Sequence, residues 1–281
     1  MLSPRISLGE FLRSRRERLV PEDAGLPSHG RRRTPGLRRE EVAQLANIGT
    51  SWYTSLEQGR SVNPSEDVLN NIATALQLTE DERRYLHLLA QPVEQSKLET
   101  SELSVALKRT IIALDPNPAF IMEKWWDLLF WNEAAELVFR LPSFSTNIQQ
   151  GPNWLRRFLT DPELKSNTSD WENKAKIMIA NFRTDYAFYS NDEHFKNLIE
   201  EFTQVSVLFR ETWPRHDVQV VTDCHKQWHD PRIGEMEFEH VVLQPSTELD
   251  VKIMIYTASA ETAKRLANLR GSSSNLISFI E

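Results

Sequence analysis

The chain has 281 residues, 40% hydrophobic and 26% charged, which suits two folded domains of ordinary size and excludes a disordered chain; its one cysteine, Cys224, excludes an internal disulfide framework and fits a reducing, cytosolic setting. The net charge of −7 is uneven: residues 1–60 hold 11 Arg and no Lys against 7 acidic groups, +4, and residues 61–281 hold 22 basic against 33 acidic groups, −11. A basic first module joined to an acidic remainder directs any polyanionic partner to the first module.

In chain order, "MLSPRISLGEFLRSRRERL" has no apolar h-region and does not read as a signal peptide. Leu8, Phe11, Leu12, Arg15 and Leu19 give helical spacing there, with Ser7 ahead as a candidate N-cap. "VPEDAGLPSHGRRRTPG" is rich in Pro and Gly and predicts a loop. Helical spacing resumes at Leu37, Val42, Leu45 and Ala46, and again at Trp52, Tyr53 and Leu56. Ser65 caps a helix with the stripe Val68, Leu69, Ile72, Ala75 and Leu76, and Thr79 caps "TEDERRYLHLLA", whose first-turn acids suit the helix dipole. The polar stretch "QPVEQSKLETSE" places a boundary near residue 95, giving domains 1–95 and 96–281.

The second domain opens with a short helix, "SVALKRTIIALD". "AFIMEK" and "DLLFWN" then predict a hairpin turning around Trp125 and Trp126, followed by a helix capped by Asn132. Three tryptophans in seven positions invite a membrane reading, but Glu123, Lys124, Asp127, Asn132, Glu133 and Glu136 interrupt the run. At roughly 2.5–3.5 kcal/mol for each central Asp or Lys, it cannot span a bilayer. Residues 152–213 are helical by spacing. "DVQVVTD", "GEMEFEHVVLQ" and "LDVKIMIYTA" are strands, with Met236, Phe238 and His240 alternating with Glu235, Glu237 and Glu239. The order is therefore two strands, helices, three strands, all antiparallel because the connections are too short for helical crossovers.

"LRREEVAQLANIGTSWYTSLEQGR", residues 37–60, reads as two helices around the turn "NIG". Asn47 tolerates the left-handed backbone a tight turn needs, and Ile48 plugs the space between the helices. With Tyr53 and Leu56 inward, Thr50, Ser51, Trp52, Thr54 and Ser55 face out, and short hydroxyl side chains near a helix N-terminus suit the major groove. The upstream Arg31, Arg32 and Arg33 can neutralise phosphates or enter a minor groove, or simply be solvated.

These residues resemble the helix-turn-helix of the xenobiotic-response-element family of bacterial repressors, including the closing Glu-x-Gly. The resemblance implies a lambda-repressor-like all-α bundle, base reading by Thr50, Ser51 and Ser55, and phosphate contacts from Arg39 and Arg60. Gly49 departs from the family's capping Ser or Thr, a change worth a few tenths of a kcal/mol. Over most of the chain, "LGEFLRSRRERLVPEDAGLP", "GRRRTPGLRREEVAQLA", "WYTSLEQGR", "PAFIMEKWWDLLFWNEAAELVF" and "WPRHDV" are similar to the MmyB-like transcription regulators. That resemblance implies an α+β PAS-like second domain with a five-stranded antiparallel sheet enclosing a pocket for an apolar ligand, of which long-chain fatty acid is the known type. The expectation for the whole chain is a homodimer on a palindromic or directly repeated double-stranded DNA operator.

Phe120, Met122, Leu129 and Trp131 on the hairpin and Trp154, Phe158, Phe182 and Phe188 on the helices are candidates for such a pocket, each competing with a plain core role. Arg215 and His216 can receive a carboxylate head, or pair structurally with Asp217. Asn132 is read as a cap rather than a ligand contact. "CHKQWHD" offers Cys224, His225 and His229, but a strand does not bring the two histidines to a metal-binding spacing, so no metal and no cofactor is expected. No phosphate loop or nucleophile elbow is present, so no enzyme activity is expected. The alternative to a ligand sensor is a DNA-binding protein whose second domain is filled by its own side chains and serves dimerisation or a protein partner.

Overall fold

The computed structural model describes residues 4–27, 36–60, 62–90, 103–143, 151–189, 192–217, 225–245 and 250–271. The chain divides into two compact units, one of residues 1–96 with 176–220 and one of 97–175 with 221–281. The division expected from composition, 1–95 and 96–281, differs in where 176–220 falls. Contacts far apart in sequence group that segment with the first helices: Arg15 meets His216 and Asp217, and Ala187 belongs to the first core.

In the first unit α1 (Pro4–Arg18), α2 (Arg39–Leu45), α3 (Thr50–Glu57), α4 (Glu66–Ala75) and α5 (Glu80–Ala90) surround one core. Helix α1 starts at Pro4, so Ser7 lies inside its first turn and is not the cap; proline is favoured at such a start because its missing N–H has no helical partner to lose. Leu8, Phe11, Leu12, Val42, Tyr53, Leu56, Leu69, Ile72, Tyr85 and Leu86 are buried at the expected spacing. Leu45 is not: at 37% exposed it departs from the inward stripe. Ser65 accepts from Val68 N at 3.4 Å, while Thr79 and Glu82 form a reciprocal capping box at 3.3 and 3.0 Å.

Helix α10 (Trp171–Phe188) joins this unit from Lys176, followed by α11 (Glu193–Val205), α12 (Val207–Thr212) and a 3-10 turn, Trp213–Arg215. Phe182 packs on Phe195 and Phe202 at ring separations of 5.3 and 5.6 Å, and Phe209 stacks on Trp213 at 5.1 Å.

The second unit is built on a five-stranded antiparallel sheet of β1 (Ala119–Glu123), β2 (Leu128–Trp131), β3 (His225–Asp230), β4 (Gly234–Leu243) and β5 (Val251–Ala258), ordered β2-β1-β5-β4-β3. Two strands precede the helices and three follow, but the first of the three is His225–Asp230; the expected strand "DVQVVTD" lies, beyond Asp217, outside the described residues. The sheet, with α6 (Val105–Ala113), α7 (Glu133–Phe139), α8 (Trp154–Thr160), α9 (Pro162–Asn167) and α13 (Ala260–Gly271), makes the α+β half of a chain whose first half is helical.

Alternation sorts the sheet into two faces. Ala119, Ile121, Phe130, Val251 and Ile253 form one core with Ile111 of α6. Phe120, Trp131, Met254, Tyr256, Phe238 and Met236 take the other face by register. The β1–β2 register shifts between Ile121 and Met122, so Leu128, not Leu129, stands opposite Met122. This bulge sends Leu129 to the first face, where it packs with the α6 core, away from Phe120 and Met122.

Candidate DNA and ligand interfaces

The two helices of the DNA motif are α2 and α3. Between them Asn47 takes φ 55°, the left-handed conformation expected for the turn, and Ile48 packs on the core. Gly49 is the extended N-cap of α3 and makes no side-chain cap bond. Thr50, Ser51 and Arg60 are exposed, and Thr54 and Ser55 half-buried. Trp52 is half-buried and packs on the core, so it is not freely presented. Arg31, Arg32 and Arg33 lie outside the described residues.

Sequence reasoning missed Glu57. Its carboxylate has no exposed side-chain surface and takes Arg16 Nε and Nη2 at 2.8 Å each and Arg39 Nε at 2.9 Å. Arg16 also donates to Leu37 O at 2.8 Å. One buried acid thus ties α1, the start of α2 and the end of α3 together. It also pins the Arg39 guanidinium, whose side chain keeps 41% exposure. The Glu of Glu-x-Gly was visible as a motif, but its partners stand 18 and 41 residues away and no local spacing reveals them.

On the second unit the sheet face bearing Phe120 is lined with aromatic rings. Phe120 meets Trp154 at 5.3 Å, Phe139 at 5.9 Å and Tyr256 at 6.1 Å, and Phe139 meets Trp228 at 5.4 Å and Tyr256 at 4.9 Å. Tilted and edge-on rings at such separations are mutually attractive beyond their buried area. Met122 and Trp131 are buried on this face, and Trp131 Nε1 donates to Pro142 O at 3.2 Å. Phe158 is buried and stacks on Trp171 at 6.3 Å. The structure therefore gathers Phe120, Met122, Trp131 and Trp154 on one sheet face and assigns Leu129 to the other. Phe182, Arg215 and His216 are grouped with the first unit, as is the half-buried Phe188.

Arg215 donates from Nε to Glu211 O at 3.1 Å, while His216 accepts from Arg15 through its carbonyl, with Nε2 3.9 Å from Glu10. Burial, with Arg183 and Arg15 adding to it, pushes the His216 imidazole down to about 4. The carboxylate-receiver role expected of this pair has a structural competitor in these contacts.

Three polar groups on the second unit stand out. Asn132 caps α7 and is 2% exposed, its Oδ1 accepting from Ala119 N and Ala135 N. Asp230 is buried, which alone would raise its carboxyl, but hydrogen bonds from Arg232 and Arg140 hold it at about 2. His240 lies on the aromatic face against Tyr256, ring centroids 4.6 Å apart, and its buried Nε2 has no hydrogen-bond partner among the described residues. Among the described residues no group of three or more His, Cys, Asp or Glu is placed to hold a metal ion; Cys224 lies outside them. No helix of the described residues is long and apolar enough to cross a membrane.

Two family models match the chain. One, described as "MmyB-like transcription regulator ligand binding domain", covers residues 103–270, more than half of the sequence, and one described as "Helix-turn-helix domain" covers residues 7–86. No curated protein matches. Among solved structures, one titled "Structure of an RNA-binding Light-Oxygen-Voltage Receptor" aligns with 84% of this chain and 57% of its own length at 12% identity; its TM-score of 0.24 is too low to bear on fold or function.

Proposed function

The chain belongs to the MmyB-like transcription regulators, DNA-binding proteins with a ligand-binding domain, and from that premise we propose that it reads a specific operator as a homodimer and senses a fatty acid or similar apolar acid. The observation that carries the reading is the pairing, in one chain, of a helix-turn-helix with a ligand-binding domain whose sheet turns an aromatic, almost wholly apolar face inward. Thr50 and Ser51, exposed at the start of α3, support base contacts, and Arg39 with Arg60 supports phosphate contacts.

Segment 176–217 supports a coupling between ligand and DNA. It lies within the ligand-binding family match and belongs to the first unit, where it meets Arg15 of α1 and Ala187 joins the core that also holds the helices of the DNA motif. A ligand that binds two arrangements of this segment with different affinity shifts DNA affinity by at most that difference, and DNA shifts ligand affinity by the same amount in return. The working place of such a regulator is the cytoplasm, and no chemical step is assigned to it.

Mass spectrometry of organic extracts of the purified protein tests the ligand. A stoichiometric apolar acid is expected; extracts without any such compound from protein made in lipid-replete cells would favour an interaction module instead. DNA binding is tested by titration against selected and random duplexes at graded salt. Affinity should fall steeply as salt rises, and no binding at low salt would overturn the DNA-binding role.

A further inference from the structure

Strand β4 passes from dry to wet along one face. Phe238 is 1% exposed, His240 is half-buried and Val242 is 49% exposed, all on the side of the sheet that carries Phe120 and Tyr256. Opposite Val242 on β5 is Met254, 8% exposed. His240 is therefore the polar residue where an aromatic wall meets solvent. Its ring lies against Tyr256 at 4.6 Å, and Nε2, shielded from water, has no hydrogen-bond partner among the described residues.

A buried polar atom without a hydrogen bond costs roughly 1–3 kcal/mol, and such atoms are uncommon unless something else fills the vacancy. On the neighbouring strand Lys226 stands opposite Phe238, one alternation from His240 on the same face, half-buried. Burial, and then the charge of Lys226, push the imidazole down to about 4, so at neutral pH His240 is an uncharged group able to donate from Nε2 beside a cation.

We propose that His240, oriented by Tyr256 and supported by Lys226, is the anchor for the acidic head of the ligand, with the apolar body lying along Val242 and Met254. The proposal rests on the apolar-acid reading above and gives it a site. A neutral donor next to an ammonium suits a carboxylate: the ammonium supplies charge and the imidazole a directed, charge-assisted hydrogen bond. The adjoining apolar wall suits a chain and not a compact hydrophilic anion. The arrangement assigns head-group recognition to the rim of the sheet face, a role distinct from the contacts of Arg215 and His216.

The test compares dodecanoic acid with its methyl ester by calorimetry on the full chain, wild type and His240→Phe. Wild type should bind the acid about tenfold or more tightly than the ester, the scale of one charge-assisted hydrogen bond. His240→Phe should lose that preference while holding the ester as well as wild type does. A folded His240→Phe protein that keeps the acid preference overturns the anchor and leaves the apolar-acid reading standing. Failure of wild type to bind either compound overturns both. Should the variant not fold, imidazole 15N signals of the wild type decide: the His240 Nε2 resonance should move with the acid and not with the ester, and an unmoved resonance overturns the anchor.

Discussion

Asn132 is a cap with more than one task. Its Oδ1 serves two backbone donors, Ala119 N and Ala135 N, both at 3.0 Å, and its Nδ2 serves Asn117 O at 2.9 Å and Ile111 O at 3.3 Å. Replacing it by Ala strands buried backbone groups at four places, so we expect Asn132→Ala to cost at least about 3 kcal/mol in urea unfolding, well above the ~1 kcal/mol of an ordinary cap. Asn132→Asp keeps the acceptor but sets a carboxylate oxygen against the Asn117 and Ile111 carbonyls in a buried site, so it should not restore the loss. The cap role was legible because the residue sits just before a helical stripe; the links to Ala119, Asn117 and Ile111 were not, since they need the tertiary fold. The same contrast holds in the DNA motif. Asn47 could be read as a left-handed turn, whereas the grip of Glu57 on Arg16 and Arg39 could not. That grip predicts that Arg39→Ala weakens binding to all duplexes alike, and that exchanging Thr50 or Ser51 alters which sequence is preferred; affinity measurements on a panel of duplexes separate the two, and one shared effect would refute the division of roles.

Periodicity predicts elements well where each residue's face follows from count alone. In β4 the alternation of Met236, Phe238 and His240 with three glutamates gives the inward face directly, and the structure buries Met236 and Phe238. The count fails at Leu129, because one shifted position at the β1–β2 bulge reverses the faces beyond it. It also gives no sign of close approaches between elements. Gly9 on α1 is such a place: a β-carbon there would stand 2.3 Å from Glu57 O, at the end of α3. Alanine is the better helix former by about 1 kcal/mol, but that gain cannot offset a contact which forces two helix backbones apart. Gly9→Ala should therefore lower the unfolding midpoint and weaken DNA binding together, because α3 carries the groove-facing residues. A stabilised Gly9→Ala protein with unaltered DNA affinity would show that α1 is free to move away from α3.

At the scale of the whole molecule, the polar stretch near residue 95 was visible in the composition, but the grouping of 176–220 with the first helices was not. A helix's apolar stripe says that it is covered, not by what. What holds this segment in the first unit includes buried cations: Arg15 and Arg183, 2% and 1% exposed, bind backbone carbonyls of His216, Asp217, Thr212 and Trp213. His216 sits among them, and a second positive charge there is unwelcome. Burial and the two arginines hold its pKa near 4, against about 6.5 in an unfolded chain. As pH falls from 6.5 towards 4, the unfolded chain takes up a proton on His216 that the folded one refuses, so stability falls through this window. The loss is on the order of 1–3 kcal/mol by pH 4. Glu10, whose carboxyl burial pushes up, acts in the opposite direction, and His240, also near 4, adds a slope of its own. The contribution of His216 is therefore read as a difference. In urea unfolding between pH 7 and 4.5, wild type should lose stability more steeply than His216→Gln, and hydrogen exchange in 176–217 should quicken in wild type over the same window. Parallel curves for the two proteins would mean that His216 protonates without disturbing the arginines, and that the hold on this segment does not depend on its charge.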